Sequence, residues 1–93
     1  MTLEIRNLLV LSTSHLTENT AKMLEETDLA DWPCAGGPYG DYGWFVYAHD
    51  EKLEPTIPDD LWKVMQFARA NGCDNILFDC DANQVDGLPT YEW

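Results

Sequence analysis

Positive charge is what this chain has least of. Five Lys and Arg stand against 17 Asp and Glu, a formal net charge of -12 in 93 residues. Such a surface repels nucleic acid and anionic membranes and attracts basic protein surfaces, so direct nucleic-acid binding and membrane association are not expected. Acidity also serves plain solubility, and the count alone does not separate the two uses. Cysteine is scarce and unpaired: Cys34, Cys73 and Cys80 are odd in number and form no ligand-like or disulfide-like spacing. That pattern predicts reduced thiols in a cytoplasmic protein. No apolar run approaches ~18 residues and no basic region precedes one, so neither a membrane span nor a signal peptide is expected. The phosphate-cradling Gly-Lys-Ser/Thr and the nucleophile elbow Gly-x-Ser-x-Gly are both missing.

What is present is enough for one small domain. Hydrophobic residues make up 45% of the chain, which predicts a folded protein in spite of its charge. The organising stretch is residues 7–24, NLLVLSTSHLTENTAKML. Leu8, Leu9, Val10 and Leu11 form a short apolar run of the kind found in a strand buried on both faces, and the first strand is expected over residues 2–11. Ser12 to His15 make a polar corner. Thr17 is placed to cap a helix, Glu18 suits its positive end, and Leu16 and Ala21 stand where a hydrophobic staple would.

That helix is expected over residues 18 to about 30, with Thr20, Met23, Leu24 and Thr27 on its apolar face. Glu25, Glu26, Asp28 and Asp31 gather at its carboxyl end. The helix dipole is negative there, and each nearby acid costs roughly 0.3–1 kcal/mol. Selection for stability alone would favour Lys at those positions, so the placement points to a use for the acids.

Residues 34–43, CAGGPYGDYG, hold four of the six glycines and read as a hairpin turn, with a short strand over residues 32–36. The aromatic run of residues 43–49 reads as the second hairpin strand, and residues 50–55 as a charged loop. Pro58, Asp59 and Asp60 open a second helix whose apolar face is Leu61, Val64, Met65 and Ala68, and Asn71-Gly72 stops it. Residues 75–79 form a strand, and residues 88–93 a candidate terminal edge strand limited by Pro89. The order strand, helix, hairpin, helix, strand predicts a single α+β domain over residues 1–93. Its small, mostly antiparallel sheet would have three to five strands and carry two helices on one face.

Ser14 beside His15 has the residue types of a nucleophile and its base, but capping and turn bonding account for the same groups. His15 and His49 are far apart and lack zinc spacing, and the acids Asp79, Asp81 and Asp86 fail the calcium-loop offsets. No catalytic residue, metal or cofactor is therefore expected. Cys80 reads as a small buried thiol. Tyr39, Tyr42, Trp44 and Trp93 stand apart from the other aromatics: Trp44 reads as core, while Tyr39 and Tyr42, in a glycine-rich turn among acids, are candidate interface anchors, with simple packing the alternative.

Two stretches carry a resemblance: Ser-Thr-x-His-Leu at residues 12–16 and Asp-Gly-Leu-Pro-x-Tyr-x-Trp at residues 86–93. With the intervening YGWFVYAHDE and IPDDLWKVMQFARANGCD, the chain resembles a family of small uncharacterised proteins carried by plasmids and phages of proteobacteria. The run at residues 12–16 is also similar to one early in a small anti-CRISPR protein against type I-F systems. The family resemblance implies no function; the second likeness matches the setting of small, single-domain, mobile-element proteins that neutralise host defence by binding. Neither imports a catalytic residue.

The functional expectation is a non-enzymatic acidic inhibitor, an anti-CRISPR or related anti-defence protein. It would occupy the cationic nucleic-acid site of a defence complex, since carboxylates can take the Lys and Arg contacts that hold phosphates. Its partner would be a basic nucleic-acid-binding protein or complex. The binding residues would be Glu18, Glu25, Glu26, Asp28 and Asp31, joined by Asp50, Glu51 and Glu54. A second reading is an antitoxin or regulatory subunit that grips a specific partner through Tyr39 and Tyr42. A third is a small hydrolase or metal enzyme at Ser14 and His15.

Overall fold

Residues 3–49 and 57–93 are described by a computed structural model of the chain. The apolar run forms strand β1, Leu8–Ser12, and the polar corner after it is one 3-10 turn, Thr13–His15. Helix α1 spans Glu18–Glu26. The hairpin comprises β2, Gly36–Tyr39, and β3, Gly43–Tyr47, followed by helix α2, Asp59–Ala70, and strand β4, Asn75–Asp79. The described residues form an α+β structure, with two α-helices and a four-stranded mixed sheet in the order β1-β4-β3-β2. β1 runs parallel to β4, whereas β4 with β3 and β3 with β2 are antiparallel.

One core joins the layers. Leu11, Trp44, Val46, Ile76 and Phe78 from the strands meet Ala21 and Leu24 of α1 and Leu61, Val64, Met65 and Ala68 of α2. All four apolar positions expected on α2 are buried, because they recur at helical spacing on one side. Gly72, at φ +75°, takes the left-handed conformation that ends this helix. Gly43 is required for a different reason: a Cβ there would overlap the carbonyl oxygen of Phe78, so only glycine lets β3 lie this close to β4.

The expected burial of β1 on both faces is corrected. Leu8 and Val10 are each 46% exposed, while Leu11 is fully buried. β1 lies at the sheet edge, and its alternate side chains point away from the helices. Val10 pairs in register with Leu77, and Leu77 with Phe45, so an uncovered apolar row crosses the sheet on that side. The strand also starts later than expected, at Leu8.

Three further boundaries differ. α1 ends at Glu26, with Thr27 as its C-cap, and the chain re-forms a separate 3-10 turn at Leu29–Asp31. Extended backbone at Thr27 and Asp28 interrupts the helix where the acids crowd its negative end. The first hairpin strand occupies Gly36–Tyr39 rather than residues 32–36. Residues 88–93 form no strand, because their polar groups bond to the corner instead of to a sheet edge.

Caps tie the layers together. The Thr17 side chain accepts the Thr20 amide at 3.2 Å, as expected of an N-cap. Asp60, read from sequence as a first-turn acid of α2, also serves α1. Its carboxylate accepts the Thr17 amide at 2.9 Å and the Thr20 hydroxyl at 2.7 Å. One negative charge thus sits on the positive end of α1 and links the two helices.

Candidate functional site: an acidic and aromatic cleft

The polar corner is a structural joint. Nε2 of His15 accepts the amide of Val85 at 3.1 Å, and Nδ1 donates to the carbonyl of Pro89 at 2.9 Å. Because an amide must donate and a carbonyl must accept, the ring is the neutral Nδ1–H tautomer with both nitrogens engaged. Ser14 extends the joint: its hydroxyl accepts from Gln84 at 3.0 Å and its carbonyl accepts the Tyr91 amide at 2.8 Å. The His15 side chain is 1% exposed. Neither ring nitrogen is open to a substrate in this arrangement.

This joint delivers the end of the chain to α1. The indole N–H of Trp93 donates to the carbonyl of Leu16 at 2.9 Å, one residue ahead of the helix cap. At the other end of the helix the indole N–H of Trp32 donates to the carbonyl of Thr27 at 3.1 Å. Two tryptophans are therefore fastened, one at each end of α1. Between them, in the space between α1 and the hairpin, runs a cleft of about 910 Å³. Tyr42, from the hairpin turn, faces α1 across the cleft, and Trp44, 8% exposed, lies at its floor. The hairpin is held in place by the Cys80 amide, which donates to the Tyr42 carbonyl at 2.8 Å.

The acids of this cleft come from three segments. Glu18 and Glu25 project from α1, Asp28 follows its C-cap, and Asp41 enters from the hairpin turn. Lys22 is the single cation lining the cleft among the described residues, and it is already paired with Glu18 at 3.3 Å. The remaining ion pairs among the described residues join Arg6 to Glu4 and to Asp74. Arg69 is turned inward, donating to the Ala48 carbonyl and the Tyr47 hydroxyl. No ion pair among the described residues reaches Glu25, Glu26, Asp28, Asp31 or Asp41.

The predicted binding residues are thus divided. Glu18, Glu25, Asp28 and Tyr42 line one cleft. Tyr39 is 40% exposed and lies 5.7 Å from Tyr42, ring centre to ring centre, at the cleft's margin. Glu26 and Asp31 are exposed but do not line it. Asp50, Glu51 and Glu54 lie outside the described residues. Sequence reasoning missed Asp41 and Trp32 as members of the site, and it grouped Trp93 with the tyrosines without placing it against α1. Asp41 adjoins Tyr42 and was within reach of a local reading, whereas Trp93 meets α1 across 77 positions and left no local signal.

Beside the cleft, Asp79, Cys80 and Asp81 place their ligand atoms within 4.8 Å of one another. Cys80 is exposed, not buried as expected, because it follows the last residue of β4 into a surface turn. The Asp81 amide donates to the Asp79 carboxylate at 2.9 Å, an ordinary turn bond. No helix among the described residues is long and apolar enough to cross a membrane.

No curated protein and no solved structure matches the chain. Over residues 8–93, which include the corner, the cleft and the tail that joins them, it matches the family model described as "Family of unknown function (DUF5983) C-terminal domain", and it belongs to that family.

Proposed function

We propose that this protein is a non-enzymatic, cytoplasmic inhibitor from a mobile element. It docks its acidic face on the cationic nucleic-acid site of a host-defence complex, as anti-CRISPR and related anti-defence proteins do. The observation that carries this reading is the unpaired carboxylate array along and beyond α1. Glu25, Glu26, Asp28, Asp31 and Asp41 are all exposed, and no cation among the described residues neutralises them. A carboxylate array without internal partners is complementary to the Lys and Arg contacts that a nucleic-acid channel offers.

The reading of Tyr39 and Tyr42 as partner anchors is favoured by one specific observation: Tyr42 lines the same cleft as the acids. An antitoxin or regulatory subunit would use that surface through aromatic contact, with little dependence on salt. Charge mimicry weakens steeply as salt rises.

The deciding measurement is plaque formation by a targeted phage on bacteria with an active type I-F CRISPR system. Expression of the wild-type protein is expected to restore plaques. The triple variant Glu25→Lys, Glu26→Lys, Asp28→Lys is expected to remain folded and to lose the effect. Full inhibition by the triple variant would end the acidic-face assignment, and no inhibition by either protein would end the anti-defence reading.

A further inference from the structure

We infer that the cleft beside α1 is a receptor for a guanidinium-bearing side chain, so that its partner inserts arginine there. The inference rests on the acidic-face reading and specifies its point of contact. Three features favour a cation with a flat face. Glu25, Asp28 and Asp41 border the cleft with no ion pair among the described residues, so its electrostatic demand is for positive charge. Trp32, Tyr42, Trp44 and Trp93 surround the same volume. Aromatic faces attract cations, and a guanidinium both stacks on them and forks two hydrogen bonds to a carboxylate. An ammonium is more strongly hydrated and gains less from such walls.

The walls are also set before any ligand arrives. Each outer indole spends its N–H on a backbone carbonyl, Trp32 on Thr27 and Trp93 on Leu16. Their positions relative to α1 are thereby fixed, and less ordering is required on binding. The nine-residue α1 is about 13 Å long. A cleft running along it has room for the arginine side chain and for the flanking backbone of an extended segment.

The test is a titration of the full chain, followed by amide and indole NMR signals, with the capped tripeptide Gly-Arg-Gly. The counterparts carrying citrulline or lysine at the centre are the controls. The arginine peptide is expected to shift the indole signals of Trp32 and Trp93. It should bind at least fivefold tighter than the lysine peptide, and the citrulline peptide should not saturate. The shape-preserving double variant Glu25→Gln, Asp28→Asn should weaken the arginine peptide about tenfold, and Trp93→Ala should weaken it at least threefold. Equal binding of citrulline or lysine, shifts confined to another face, or no saturable binding would overturn the inference. If the arginine peptide fails but the triple lysine variant still loses phage protection, the receptor assignment falls alone. If the peptide binds in the cleft but no defence system is inhibited, the anti-defence reading falls alone.

Discussion

His15 and Val85 stand 70 positions apart, and the ring of the first holds the backbone of the second at 3.1 Å. With the Pro89 bond on its other nitrogen, this imidazole fastens the tail to the corner between β1 and α1. The two motifs that looked most distinctive in the sequence, at residues 12–16 and 86–93, are therefore two halves of one joint. The joint in turn positions Trp93 at the cleft. A residue with the chemistry of a general base is here a bracket.

Removing that bracket has a defined cost. His15→Ala empties a buried site and leaves the Val85 amide and the Pro89 carbonyl without their partner, an expected loss of about 2–4 kcal/mol. Urea unfolding reads the loss, and hydrogen exchange should accelerate first at Val85 and Tyr91. Wild-type protection of both amides in the variant would contradict the joint.

Asp60 offers a second test across the two helices. Asp60→Ala removes the acceptor for the Thr17 amide and the Thr20 hydroxyl together with a charge on the α1 dipole. The expected loss is about 1–2 kcal/mol, the size of a good helix cap. Helical circular dichroism should fall by an amount matching fraying of α1, with α2 retained. A stability equal to wild type would show that the helices do not depend on this bridge.

Adjacent positions on β1 should respond very differently. Leu11→Ala opens the core and is expected to cost about 2–5 kcal/mol. Val10→Ala removes a half-exposed side chain from the uncovered side of the sheet and should cost less than about 1 kcal/mol. Equal losses in thermal or denaturant unfolding would mean that the outer face is covered in solution.

Two of the three thiols should separate by reactivity. Burial pushes the Cys34 thiol up to about 11, so at pH 8 it remains protonated and is shielded as well. Exposed Cys80 should be alkylated by iodoacetamide before Cys34, as peptide mass mapping of a time course would show. Early labelling of Cys34 in the native protein would contradict its placement in the core.

The sequence by itself determined the positions and characters of the main elements. The apolar face of α2, Thr20 and Leu24 on that of α1, the glycine-rich hairpin, the strand at Asn75–Asp79 and the Thr17 cap were legible, because helical spacing, turn residues and capping act within a few positions of the chain. Of the other two residues expected on the α1 face, Met23 and Thr27 are half-buried, and Ala21 is buried beside Leu24. The acid surplus and its gathering near the end of α1 were legible for the same reason.

Tertiary structure alone decided what those elements meet. β1 was placed beside β4, His15 beside Val85, Asp60 on the far helix's cap, and Trp93 against the carbonyl of Leu16. These contacts span 43 to 77 positions among the hydrogen bonds, where no periodicity within an element records the partner. The same limit explains β1. A run of four apolar residues announces a strand, but whether a second layer covers its outer face depends on where the rest of the chain packs, and here both helices packed against the side that carries Leu11.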